Sequence, residues 1–313
     1  MKRTWLSVSA VIAALALTLA GCGSKEENGA ASPSGSPSEA ATSSSSASPS
    51  SSQASESPSA SASGSATASE KPAEVKKIIV GTGTQFPKVA FLDDKGKLTG
   101  FDVELVREID NRLPGYEFEL QTYDFGNLLL SLETKKIDFI AHEMEKNPER
   151  TEKYLFNKEP YAHWVNKIVV AKDNNDPIKT LDDLKGKKVL VGATSAEAQL
   201  VENYNKEHGE NAIKIVYSNG NSADTVNQIA TGRVYATLAA DFALPLIDPE
   251  GKLKTVGDSL GAADILFVFR KNDPDSQTLA DAVDGAIKEL KADGTLGKLS
   301  TEWLGQDFTQ DVK

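Results

Sequence analysis

From Lys77 onward, short runs of β-branched and apolar residues alternate with segments whose apolar positions recur every three or four residues. The runs at 77–82, 117–122, 137–141, 167–171, 188–191, 213–217, 236–239 and 265–269 read as strands. Between them Val103, Val106, Ile109 and Leu113 fall at helical spacing, as do Leu128, Leu129 and Leu132, and the stretch 226–229 behaves alike. Two such periods in alternation predict a parallel or mixed sheet with helices packed on its faces, so the fold class is α/β. The stretch 279–304 reads as a helix through Lys291, a break at Gly294 and a short second helix ending at Trp303-Leu304-Gly305. After the strand at 188–191, Thr194-Ser195-Ala196-Glu197 fits a capping box, with Thr194 bonding the backbone three residues on and Glu197 reaching back. The N–H groups at such a helix start make an anion site.

Ahead of residue 75 the pattern is different. Lys2 and Arg3 precede an apolar run from Val11 to Leu19, too short to span a membrane permanently, which predicts a secretion signal over residues 1–21. It ends Leu19-Ala20-Gly21-Cys22, which looks like a lipobox and predicts a lipid-modified Cys22 as mature N-terminus and membrane anchor. Cys22 is the only cysteine, so no disulfide can form within the chain. Residues 22–74 are dominated by Ser, Ala and Pro with almost no large apolar side chain, and read as a disordered tether. As a flexible coil it spans roughly 40 Å, which suits a lipid-anchored domain on the extracellular face of a Gram-positive membrane. The remaining length is enough for a core without covalent staples. With 45 Asp and Glu against 34 Lys and Arg and no basic stripe, a nucleic-acid partner is not expected.

Five blocks, in order, resemble the family 3 extracellular solute-binding proteins, the polar amino-acid receptors of ABC importers. They are Gly81-Thr82 with Phe86-Pro87; Gly96 through Leu105, containing Gly100-Phe101-Asp102-Val103-Glu104; Lys135-Lys136-Ile137-Asp138 through Pro148-Glu149-Arg150 to Pro160-Tyr161; Leu184 through Val189; and Leu290 through Thr295. Asp110 departs from the pattern, standing where a small apolar residue is usual. The resemblance implies a two-lobed periplasmic-binding-protein type II fold, with lobe one at 75–162 plus 272–313 and lobe two at 163–271. It also implies a monomer that clamps a small amino acid between the lobes, needs no cofactor or metal, and hands the ligand to a permease.

In that family the arginine of Pro-Glu-Arg pairs with the ligand's α-carboxylate, which places Arg150 at the anchor. Thr194 and Ser195 are expected to cap their helix and to face the same carboxylate. Phe86 stands where an aromatic stacks on the ligand, and Leu128 is taken with the cleft. The acidic positions that many relatives use for the α-amino group fall on Ala240, with Asp241 one place later, and on Gly83. His142, Glu143 and Glu145 replace small hydroxyl residues just before the arginine. A buried ammonium needs a carboxylate, so Glu143 or Glu145, with Asp241 as a further candidate, is expected to supply it. The block from Asn127 to Tyr161 is most similar to the L-cystine-binding subgroup, whose ligand carries two ammonium and two carboxylate groups. Two other readings stand beside this one: a cyclohexadienyl-dehydratase-like enzyme on the same architecture, with His142, Glu143 and Glu145 doing acid–base work, and a ligand sensor. His142-Glu143 begins a zinc-protease pattern, but Lys146 occupies the second histidine position.

Overall fold

The computed structural model describes residues 75–209 and 212–310. The expected signal, Cys22 and the tether lie outside the described residues.

The first sheet runs in the order Tyr116–Thr122, Lys76–Thr82, Phe139–Ile140, Val268–Arg270, Tyr154–Phe156. Its first three strands are parallel, Val268–Arg270 runs antiparallel to them, and Tyr154–Phe156, antiparallel to Val268–Arg270, points the same way as the first three. Ile78 and Val80 bury their branched side chains beneath the helix Phe101–Arg112, whose Val106 and Ile109 face the same core. The helices Pro274–Ala292 and Thr295–Leu304 pack against that helix. Asp273 starts the longer one by accepting from the backbone N–H groups of Asp275 and Ser276, and Pro274 fills the first turn where no N–H is needed. Gly294, at φ 77, makes the left-handed turn between the two.

The second sheet runs Lys214–Ser218, Lys188–Gly192, Ala236–Ala240, Ala162–Ala171, Leu253–Val256. The strand Ala262–Ile265 pairs with the first part of Ala162–Ala171 and forms a two-stranded ribbon that crosses between the sheets. A third, small sheet of Gln85–Phe86, Ala90–Leu92 and Leu98–Thr99 stands at the rim of the first lobe.

Two differences from the sequence reading bear on the site. The run at 265–269, read as one strand, is two: Ala262–Ile265 serves the crossing ribbon, while Val268–Arg270 joins the first sheet. Leu266 and Phe267 between them are fully buried, so the chain changes sheets without surfacing and hydrophobicity alone cannot mark the switch. Val268–Arg270, expected in lobe two, therefore packs with the first lobe's sheet. The strand expected at 167–171 begins at Ala162, because His163 and Asn166 are buried within it and hide its start.

Candidate functional site

The segment from His142 to Arg150 leaves the end of the strand Phe139–Ile140 and turns along the gap between the lobes. Met144 is sunk in the core beside Leu128 and Ile140, while its neighbours Glu143 and Glu145 line the cavity. Asn147 caps the short helix Pro148–Lys153 by accepting from the Arg150 N–H at 2.8 Å, and Pro148 presets its first turn. The Asn-Pro-Glu-Arg sequence thus fixes where the Arg150 side chain begins.

Arg150 is 7% exposed. One terminal nitrogen donates to the Glu145 carbonyl at 2.8 Å and the other reaches the opposite lobe, donating to the Thr194 carbonyl at 2.9 Å. No carboxylate stands in ion-pair contact with it among the described residues. Burial pulls its pKa down, and the nearby charges of Glu197 and Glu145 pull it back up. Thr194 has φ 66, an uncommon conformation for a β-branched residue that holds about 1–3 kcal/mol of strain.

The helix start falls one residue later than the capping-box reading placed it. Ser195 is the N-cap, its hydroxyl accepting from the Ala198 N–H at 3.0 Å, and Thr194 contributes only its carbonyl to the site. With the register moved, Glu197 stands two residues after the cap, with its carboxyl beside the Ser195 hydroxyl and its own backbone N–H. It lines the cavity across from Arg150.

Four acids cluster here. Glu143, in a left-handed conformation at φ 45, donates its N–H to the Asp102 carboxylate at 2.6 Å. Its own carboxyl is 8% exposed and neither oxygen meets a donor among the described residues. Burial, then Asp102, Glu145 and Glu197, push its pKa well above the usual carboxylate range. Asp102, fully buried in the Gly-Phe-Asp block, also accepts from the Tyr161 hydroxyl at 3.3 Å and is pushed up by burial to about 7. Glu197 is raised by burial and by Glu145 to about 7, with Arg150 opposing. Glu145 differs: the Trp164 indole donates to it at 2.8 Å, and the Asn166 amide at 2.9 and 3.1 Å. Of the two glutamates expected to meet an ammonium, Glu145 is already bonded to the crossing ribbon and Glu143 is not.

Aromatic rings form the rest of the wall. Phe86 stacks on Phe242 of the other lobe at 6.0 Å and meets His142 edge-on at 6.4 Å. Phe125 leans on His142 at 5.7 Å, and Trp164 on Phe242 at 4.8 Å. The His142 Nδ1 accepts from the Gly83 N–H at 3.3 Å and the Thr82 hydroxyl at 3.4 Å, and burial lowers its pKa to about 4, so the ring is neutral. Gly83 must lack a side chain, since a Cβ would lie 2.7 Å from that ring. The space between these walls is about 200 Å³ and stays partly open to solvent. Its rim is bridged by the Ser222 hydroxyl on the Gln85 carbonyl at 3.2 Å, and outside it the Asn203 amide meets Glu149 at 2.7 Å.

Arg150, Phe86, His142, Glu143, Glu145 and Ser195 are thus brought together around one cavity. Leu128 is not, because it is fully buried between the first sheet and Met144. Asp241 is not either: it is exposed, and its carboxylate clips the backbone by accepting from Phe242 at 3.0 Å and Val165 at 3.3 Å. The sequence reading missed Glu197, Trp164 and Phe242 as lining residues, and Asp102 as the group holding Glu143.

A guanidinium and an unpartnered carboxyl lining one cavity match the two ends of a zwitterion. Residues 78–306 match the family described as bacterial extracellular solute-binding proteins, family 3. The chain is 50% identical over 242 residues to the L-cystine-binding protein TcyJ of Bacillus subtilis, covering 76% of this chain and 87% of that protein. It is 45% identical over 240 residues to the L-cystine-binding protein TcyK of the same organism, covering 76% and 87%. Among solved structures, a putative L-cystine ABC transporter protein from Listeria monocytogenes superposes with a TM-score of 0.70 at 45% identity, covering 75% of this chain and 99% of that one. The chain belongs to the bacterial extracellular solute-binding proteins, family 3.

Proposed function

We propose that this protein captures an L-amino acid, L-cystine or a related sulfur or polar amino acid, between its lobes and delivers it to the permease of an ABC importer. One observation carries the reading: Arg150 and the unpartnered Glu143 line the same cavity, so a ligand's α-carboxylate and an ammonium group each have a complement beside it. Glu197, across from Arg150, offers a second acidic position, which suits a ligand with two amino groups. Phe86 and Phe242, stacked from opposite lobes, supply an apolar lid for the ligand's middle. The names of the relatives support the cystine assignment.

Cys22, acylated after removal of residues 1–21, would hold a monomeric receptor at the outer face of the membrane, with 22–74 as its leash. A thermal-shift screen across amino acids tests the ligand. L-cystine should raise the melting temperature more than monoamino acids do, and Arg150→Ala should abolish the shift. A flat response across the set, or turnover of prephenate or arogenate by the purified protein, would overturn the receptor reading.

A further inference from the structure

We infer that capture of an ammonium-bearing ligand expels a proton from the carboxyl cluster, with Glu143 the group that ionises as the ligand arrives. The inference rests on the amino-acid reading above and adds a coupling to it.

The argument is one of crowding around a single cation. Among the described lining residues Arg150 is the one Arg or Lys, and both its terminal nitrogens already serve backbone carbonyls. Facing Glu143 are Asp102 from the helix Phe101–Arg112, with the Tyr161 hydroxyl behind it, and Glu145 from its own segment. Glu197 faces it from the helix Ala196–His208 in the other lobe, and its neighbour His142 is neutral. Glu145 has donors from Trp164 and Asn166, whereas both oxygens of Glu143 and one of Asp102 have none. An ionised carboxylate stripped of water and of donors is unfavourable, so the empty cleft holds a proton on this pair. The raised pKa values of Glu143, Asp102 and Glu197 agree with that.

The exchange balances simply. A neutral Glu143 carboxyl meets a ligand ammonium, the proton leaves to solvent, and a carboxylate–ammonium pair remains while the ligand's carboxylate takes Arg150. Because the empty state binds one more proton than the loaded one, affinity climbs with pH until Glu143 is ionised in the empty cleft. For one proton the slope is about tenfold per pH unit.

Isothermal calorimetry on the full chain, titrated with L-cystine at about pH 6 in buffers of different ionisation heat, tests this. We expect the binding enthalpy to vary linearly with the buffer's ionisation heat, with a slope of about one proton released, and affinity to rise about tenfold between pH 5 and pH 6. Glu143→Gln should remove the slope. As a readout that needs no ligand, infrared spectra of the empty wild-type protein near neutral pH should show a protonated carboxyl stretch that Glu143→Gln lacks. Binding with identical heats in all buffers, or no such stretch, overturns the coupling and leaves the receptor reading standing. No binding by any amino acid overturns the receptor reading, and the coupling with it.

Discussion

Arg150 has two occupations: it reaches across the cleft to the Thr194 carbonyl and it faces the cavity. Removing it deletes two hydrogen bonds but also a buried guanidinium with no ion-pair partner, effects of opposite sign on stability. Arg150→Ala should therefore leave the melting temperature of the empty protein within a few degrees of wild type, while calorimetry shows affinity lost by roughly 100-fold or more. Undiminished affinity would remove the anchor role. Glu143→Gln makes the complementary case. Glu143 has a raised pKa in the folded protein, so above the unfolded value of about 4.3 the native state holds the extra proton. Its contribution to stability then falls as pH rises from there toward its folded pKa. Asp102 and Glu197 act in the same direction up to about 7. His142, depressed to about 4, works oppositely, its contribution being lost as pH falls from about 6.5 toward 4. Thermal scans should accordingly show Glu143→Gln more stable than wild type when empty at neutral pH, with the gap narrowing toward pH 5, and a weaker binder throughout.

At the scale of elements, two short helix starts decide where the cavity's charges sit. Asn147→Ala removes a cap worth about 1 kcal/mol in denaturant unfolding. Because the same turn carries Arg150, ligand affinity should drop as well. A loss of stability with unchanged binding would show that the cap does not position the arginine. The second helix start also explains what the sequence left hidden. Thr194 and Ser195 are both good caps, and choosing the first made Glu197 a capping partner. The structure uses Ser195, and that slip of one residue moves Glu197 into the cavity. That Arg150, Phe86 and Glu143 line one cavity was readable from the short motifs that hold them. Leu128 was misjudged because an apolar residue at helical spacing looks the same whether it faces a core or a cleft. Asp241 was misjudged because its one-residue offset turns it to the backbone of Val165. The eight expected strands were largely readable, yet the split at Leu266-Phe267 was not, since both sheets demand buried apolar residues there.

Across the whole molecule, the contacts that join the lobes besides the crossing ribbon include Arg150 on Thr194, Ser222 on Gln85, Asn203 on Glu149, and the rings of Phe86 and Phe308 against Phe242. Single hydrogen bonds of this kind can break one at a time as a hinge reopens to release its cargo. Asn203→Ala removes one bond far from the ligand, so stopped-flow measurements should show faster ligand release by a few-fold with little change in capture rate. An unaltered release rate would mean that the Asn203–Glu149 bond does not hold the closed form.

The crossing ribbon has one more consequence. Its Trp164 is almost wholly buried, and the indole donates to Glu145, a carboxylate that lines the cavity. Indole emission shifts with the charge and wetness around the ring. Filling the cleft should therefore change the colour or brightness of this one tryptophan while Trp303, packed on Phe91 of the first lobe, stays constant. The protein carries an optical gauge of its own occupancy, readable without any added dye.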